Sequence, residues 1–270
     1  MVPEQPKDIV PPYEDDTPWP IANHPPDAET LIIAGSGIIY TLPDRPNEVV
    51  KVPQPFDGDR HNHEIERRVY QRLGKHPNIV NVTEMDQYGI YLERAFHGCL
   101  RQYFREGGTA TLQEKIMWCR DTASVLDYVH QNNIRHADLS GRNLLLDSKR
   151  NILLCDFSGS FIDGEKATIF AECGFRHPDE NEYAQPTIRG ELHTLGSTIY
   201  EIMTGVKPHH GLEEHIIRDL VEKGEYPDVR ELPLGGVIMK CWKGDFLSAA
   251  EVAEEIVQLG MFSTHCGQWQ

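Results

Sequence analysis

The stretch Asn133-Ile134-Arg135-His136-Ala137-Asp138-Leu139-Ser140-Gly141-Arg142-Asn143-Leu144-Leu145-Leu146-Asp147, continued by Ile152-Leu153-Leu154-Cys155-Asp156-Phe157, decides the fold. Two short apolar runs flank a polar loop in which Asp138 and Asn143 stand five residues apart, and Asp156 closes the second run thirteen residues after Asn143. Short apolar runs bounded by turn-forming residues read as paired strands. Folded as a hairpin, they bring two carboxylates and a carboxamide together, a hard-oxygen set suited to a divalent cation and a proton acceptor.

Upstream, Leu112, Ile116, Cys119, Ala123, Leu126 and Val129 recur at helical spacing, so a long helix delivers the chain to this loop. Before that helix the pattern is β: Leu31–Gly37, Ile38–Leu42 and Glu48–Val52 read as three antiparallel strands, with a proline-broken turn at residues 43–46. Ile65, Val69 and Leu73 mark a helix that Gly74 stops, and two further strands follow at Val80–Met85 and Ile90–Arg94. After the connector Ala95–Gly98, helices are expected over Leu192–Met203, Leu212–Glu222 and beyond Ser248, where Ser248 and Glu251 form an S-x-x-E capping box. This order predicts an α+β fold: a five-stranded antiparallel sheet with one helix, then a mainly helical lobe, with the ligand site between them.

The balance of 42 acidic against 26 basic side chains, a net charge of −16, opposes binding to nucleic acid or an anionic membrane. No apolar run approaches the length of about 18 residues that spans a bilayer, and the first thirty residues lack a basic start and an apolar core. An intracellular location, cytoplasmic or nuclear, is the expectation. Six scattered cysteines without C-x-x-C spacing read as free thiols. Residues 1–28 carry eight prolines and no periodic apolar pattern, and are read as a flexible tail that can dock on the domain.

His136-Ala137-Asp138-Leu139 with Asn143, and Asp156-Phe157, resemble the catalytic loop and metal-binding motif of protein kinases, H-R-D-L-x-x-x-N and D-F-G. Val49-Val50-Lys51 resembles that family's V-A-I-K. Glu66, ten residues before His76-Pro77-Asn78-Ile79, matches its helix glutamate, with Glu64 as the alternative. Glu191–Ser197 and Tyr200–Gly205 look like D-x-x-S-L-G and Y-E-l-x-x-G, and Lys240-Cys241-Trp242 resembles the late C-W. The resemblance covers about residues 30–260 and implies a kinase domain over 29–262, with lobes at about 29–94 and 95–262.

The resemblance further implies ATP and Mg2+ as cofactors and a protein Ser/Thr or Tyr hydroxyl as acceptor. Asp138 then orients the hydroxyl as base, Asn143 and Asp156 hold the metal, Lys51 contacts the phosphates and Glu66 holds Lys51. Ile39, Val49 and Leu145 enclose the adenine, Leu92 is the gatekeeper, Glu93 to Ala95 form the hinge, and Gly37 belongs to the phosphate-covering loop. His136, Phe157, Tyr70 and Val82 become the packed spine.

The chain departs from the family pattern at several positions. If Gly37 is the last loop glycine, Ile32 and Ala34 stand in place of the first two, and if Gly35 and Gly37 are the first two, the third is lost; either register loosens the cover over the phosphates. Ala137 replaces the arginine of H-R-D, and residues 158–176 offer only Ser158, Ser160 and Thr168 as hydroxyls, so no loop phosphate is expected to be required. Ser140 replaces a catalytic-loop lysine, and Asp138–Asn143 resembles the D-L-A-A-R-N of tyrosine kinases, in which Arg142 supplies the cation. Ser158 replaces the glycine of D-F-G. Pro178-Asp179 stands for the P-E of A-P-E, with the usual arginine near Trp242 missing. Two other readings compete: an inactive scaffold that keeps the fold, and a small-molecule kinase with a similar H-x-D core, against which stand His76–Ile79 and the Leu195-Gly196 helix.

Overall fold

The computed structural model describes residues 23–179 and 185–266, with side chains as far as residue 260. The flexible-tail expectation for residues 1–22 lies outside the described residues. Five strands, β1 (Glu29–Ala34), β2 (Gly37–Thr41), β3 (Glu48–Val52), β4 (Val82–Met85) and β5 (Ile90–Glu93), form one antiparallel sheet in the order β1-β2-β3-β5-β4. Helix α1 (Asp57–Leu73) buries Ile65, Val69, Tyr70 and Leu73 in the main core. On a second, smaller core, Tyr40, Leu42, Val50, Val52 and Tyr91 pack with Ala28, and His24 stacks on Tyr40 with ring centroids 4.6 Å apart. Residues 24–28 thus lie against the sheet.

The register puts Lys51 at the centre of the sheet. It pairs with Ile39 on β2 and Ile90 on β5, and Val49 pairs with Leu92. β2 can run this close only because position 37 is glycine: its φ is 143°, and a Cβ there would lie 2.7 Å from the Val52 carbonyl oxygen.

The helical lobe follows. A short helix α2 (Leu100–Arg105) leads to α3 (Leu112–Gln131), whose buried face is Trp118, Cys119, Thr122, Ala123, Val125, Leu126 and Val129. Among the described residues two short strand pairings then build the central loop: β6 (Ile134–Arg135) with β9 (Phe161–Ile162), and β7 (Leu144–Leu146) with β8 (Ile152–Leu154). Helices α4 (Ile188–Thr204), α5 (Glu214–Glu222), α6 (Gly235–Lys243) and α7 (Ala249–Cys266) complete the lobe. α4 is buried on nearly every side, and Gly205 at φ 81° ends it.

One local expectation changes and another gains a detail. Ser248 accepts from the Glu251 N–H at 3.3 Å, but the Glu251 carboxylate reaches back to Leu247 N–H at 2.7 Å, one residue earlier than in a reciprocal box. No arginine stands near Trp242 in the sequence, and Asp179 instead has Arg189, at the start of α4, 3.7 Å away; Arg189 also lies beside Gly244. A partner that comes from a different helix is invisible to a motif read along the chain.

α3 carries a complete capping box: Thr111 Oγ1 accepts from Glu114 N–H at 3.2 Å, and the Glu114 carboxylate accepts from Thr111 N–H at 2.9 Å. Thr111→Ala should cost about 1 kcal/mol in equilibrium denaturation. Ligand binding should be unchanged, because the cap lies at the far end of α3 from the central loop.

Candidate active site

Lys51 is the meeting point. Its Nζ lies 2.6 Å from Glu66 Oε2 and 2.6 Å from Asp156 Oδ1, and the side chain is 5% exposed. β3, α1 and the end of the central loop each contribute one of the three charges. The structure brings Glu66 into the interior and leaves Glu64 exposed, which separates the two candidates. Burial pushes the Lys51 ammonium down, but Asp156 and Glu66 outweigh it, and the net shift is upward. Burial pushes the Glu66 carboxyl up to about 7 against the pull of Lys51. Asp156 is also pushed up by burial, but Lys51 and the Ser36 hydroxyl outweigh this and hold it below the usual carboxylate range. One cation shared by two buried carboxylates leaves an excess negative charge, and the more deeply buried Glu66 carries the strain of it.

The second oxygen of Glu66 accepts from Phe157 N–H at 3.2 Å, so the helix also fixes the backbone after Asp156. Phe157 is fully buried, with its ring 5.2 Å from that of Tyr70 and 5.0 Å from that of His136. Val82 is half-buried against the same core. Asp156 has φ 63°, a left-handed conformation that few side chains adopt, and the contacts on either side hold it there.

In the loop, Asp138 N–H donates to His136 Nδ1 at 3.2 Å, so His136 Nε2 carries the proton and donates to the Cys155 carbonyl at 3.0 Å. Asn143 Nδ2 donates to the Asp138 carbonyl at 2.7 Å and to Asp138 Oδ2 at 3.1 Å. Both amide protons are thus spent, and Asn143 Oδ1 is left for other use. Arg142 lies 3.2 and 3.3 Å from the two Asp138 oxygens. Burial raises the Asp138 carboxyl above its ordinary range despite Arg142. Ser140 is fully buried and accepts from Arg142 N–H at 3.4 Å, shaping the turn without reaching the surface.

The hairpin rests on two carboxylates from α4. Glu191 accepts from Ala137 N–H at 2.7 Å and from His130 Nε2 at 2.7 Å; these bonds outweigh burial and hold it below the usual range. Glu201 accepts from Gly141 N–H at 2.9 Å and from Arg101, and a Cβ at position 141 would lie 2.7 Å from the Glu201 carboxyl carbon. Ala137 itself sits at φ 70°, held by the Glu191 contact.

Ile39, Val49, Leu92 and Leu145 all join the main core, with Leu145 bridged to Cys99 beside the connector. Glu93 is exposed and Ala95 half-buried at the end of β5. The turn between β1 and β2 holds a contact that no motif announces: Ser36 Oγ donates to Asp156 Oδ2 at 2.8 Å. Five cysteines, 99, 119, 155, 173 and 241, are free thiols.

Residues 158–176 are tied to α1. Arg68 pairs with Glu165, His61 lies 3.4 Å from the same carboxylate, Arg72 lies 2.6 Å from Asp163, and Thr168 Oγ1 donates to Asn62 Oδ1 at 2.6 Å. Ser158 and Ser160 are buried, and Thr168 is exposed.

Among the described residues no three His, Cys, Asp or Glu side chains gather to hold a metal by themselves. Asn143 Oδ1 and the Asp156 carboxylate are hard oxygens on one hairpin, which fits Mg2+, an ion that takes one or two protein ligands and completes its octahedron with phosphate and water. No helix among the described residues is long and apolar enough to cross a membrane.

Comparison with known proteins follows the same residues. The protein kinase domain family matches over residues 49–235. Human receptor tyrosine-protein kinase erbB-4 is 29% identical over 160 residues, covering 55% of this chain and 12% of the receptor. Mouse receptor tyrosine-protein kinase erbB-2 is 29% identical over 161 residues, covering 55% of this chain and 13% of the receptor. Serine/threonine-protein kinase STY17 of Arabidopsis thaliana is 25% identical over 222 residues, covering 76% of this chain and 38% of that protein. The aligned part is thus a small fraction of each relative.

Two buried imidazoles set a pH dependence. Burial, then Lys51 and Arg67, pushes His63 down to about 3, and burial pushes His193 down to about 4. Below about pH 6.5 the unfolded chain protonates both imidazoles and the folded chain does not, so they lower stability as pH drops toward 4, while Glu66, which takes up its proton in the folded chain from about pH 7 and in the unfolded chain only near 4.5, offsets one of the two. Urea midpoints measured between about pH 7.5 and 4.5 should decline, and His63→Leu should flatten the decline by up to about 1.4 kcal/mol per pH unit.

Proposed function

We propose that this chain, which belongs to the protein kinase family, transfers the γ-phosphoryl group of Mg-ATP to a hydroxyl of a protein substrate. The observation that carries this reading is the buried Lys51 held between Glu66 and Asp156 at 2.6 Å each, where Asp156 closes the same hairpin that presents Asp138 and Asn143. Phosphoryl transfer asks a protein for cations on the phosphates and an oriented nucleophile, and this chain concentrates both in one cleft. When bound, Mg2+ would neutralise charge on the phosphates.

Lys51 binds the α- and β-phosphates, and Glu66 keeps its ammonium aimed at them. Asn143 Oδ1 and Asp156 would hold the metal. Asp138 accepts a hydrogen bond from the acceptor hydroxyl and takes its proton; the raised carboxyl and the Asn143 and Arg142 contacts leave it both basic and fixed in direction. Arg142 supplies the cation that Ser140 does not. Ile39, Val49 and Leu145 enclose the adenine, Leu92 stands behind it, Glu93 to Ala95 offer backbone groups to its edge, and Gly37 keeps the covering loop close to β3.

One observation favours a weaker second reading, an inactive scaffold: Ser36 occupies an Asp156 oxygen that the metal needs, under a loop that lacks part of its glycine set. Transfer of radiolabel from γ-labelled ATP to a protein mixture separates the two. Wild type should label, and Asp138→Asn and Lys51→Met should each lose at least about 100-fold. Equal background in all three supports the scaffold.

The segment from Asp156 to Asp179 is held to α1 by carboxylates, where many members of the family use a phosphate. Thr168→Ala should therefore keep activity within about threefold, since it removes one exposed hydrogen bond. Activity lost on this change, with stoichiometric phosphate at Thr168 in the active wild type by mass spectrometry, contradicts that account.

A further inference from the structure

The net charge of −16 hides a local reversal beside Asp138. Glu172, in the segment facing the catalytic hairpin, lies 2.6 Å from Arg101 Nη2, 3.6 Å from Arg142 Nε and 3.6 Å from Lys207 Nζ. Arg176, Lys207 and Arg218 all act on the thiol of Cys173, the next residue. Cations therefore reach this corner from α2, the central loop, the segment itself, the connection after α4, and α5. The facing acids are Asp138, Glu172, Glu201 and Glu214.

These cations are not equally committed. Arg101 is 15% exposed and forked onto buried Glu201 at 2.5 and 2.9 Å, so its charge is consumed by the fold. Arg142 and Lys207 are 47% and 34% exposed, and both stand 3.6 Å from Glu172, beyond hydrogen-bond length. Their contact with Glu172 demonstrates that a carboxylate fits here; Arg142 keeps Nη2 on Asp138, and its Nε edge together with Lys207 Nζ is held loosely enough to accept a second carboxylate. Arg142 is also in contact with Asp138, so an anion bound there lies beside the acceptor hydroxyl.

We propose that Arg142 and Lys207 recognise an acidic side chain flanking the acceptor residue of the substrate, with Glu172 holding the two cations in place until it arrives. This rests on the kinase reading above and names its substrate class. The acidic body of the protein gives no general attraction to such a substrate, so the patch sets register and discriminates against basic sequences at that position. A carboxylate and a phosphorylated residue share the required chemistry.

The test is steady-state phosphorylation of peptides with Ser, Thr or Tyr acceptors, flanked by neutral, Glu, Lys or phosphoserine residues. kcat/KM should be about fivefold higher for Glu-flanked than for neutral peptides, mostly through KM, and lowest for Lys. Phosphoserine exceeding Glu severalfold assigns the patch to a primed substrate. Lys207→Glu should bring the Glu-to-neutral ratio to about one or below while Mg-ATP binding persists. Equal kcat/KM across all flanking charges, or a ratio unmoved in Lys207→Glu, overturns the proposal while leaving the kinase reading intact. Labelling of no peptide and no protein overturns the kinase reading and this inference with it.

Discussion

An ammonium group in the protein interior, Lys51 between Glu66 and Asp156, is the constraint on which the remaining structure depends. Removing a cation and two carboxylates from water costs several kcal/mol per ion, which only close pairing offsets. The pairing can be met only when β3, α1 and the end of the central loop approach together, so three separate stretches are fixed by one contact. Glu66 spends its other oxygen on Phe157 N–H, and Phe157 fills the space between Tyr70 and His136. His136 in turn ties Asp138 to Cys155, which returns the chain of contacts to the hairpin. The candidate base and the buried cation are therefore positioned by the same packing.

The loss of arginine at position 137 changes how the segment after Asp156 is held. Glu191 takes the Ala137 N–H and stabilises the left-handed turn from below, independently of any phosphate. On the other side Asp163 and Glu165 face Arg72 and Arg68 on α1. Each of these half-exposed pairs contributes about 1 kcal/mol or less. Together they bias the segment toward α1, the helix that carries Glu66.

Much of this was legible in the sequence, for definable reasons. β3 is Glu48–Val52 in both readings, because a short β-branched run between turn residues has few alternatives. The helix with Glu66 followed from apolar spacing, and burial then decided between Glu66 and Glu64, a choice that spacing alone left open. The loop residues were legible because their intervals are short and chemically specific. What stayed hidden involves partners far apart in the chain: Ser36 with Asp156, Arg101 with Glu201 and Glu172, Arg189 with Asp179. Charged surface residues obey no period, and only the folded arrangement brings them together. The six-residue helix α2 was also missed, being too short to show a repeat.

The central claim is that Lys51, Asn143 and Asp156 form a preassembled site for a metal–nucleotide pair despite the Ser36 contact. Calorimetric titration of ATP into the protein, with and without Mg2+, addresses it most directly. The account predicts binding that tightens at least about tenfold with Mg2+ and loses that dependence in Asp156→Asn, since the Asp156 carboxylate would be a ligand of the ion. Binding of equal strength with and without Mg2+, or no binding in either case, would contradict it.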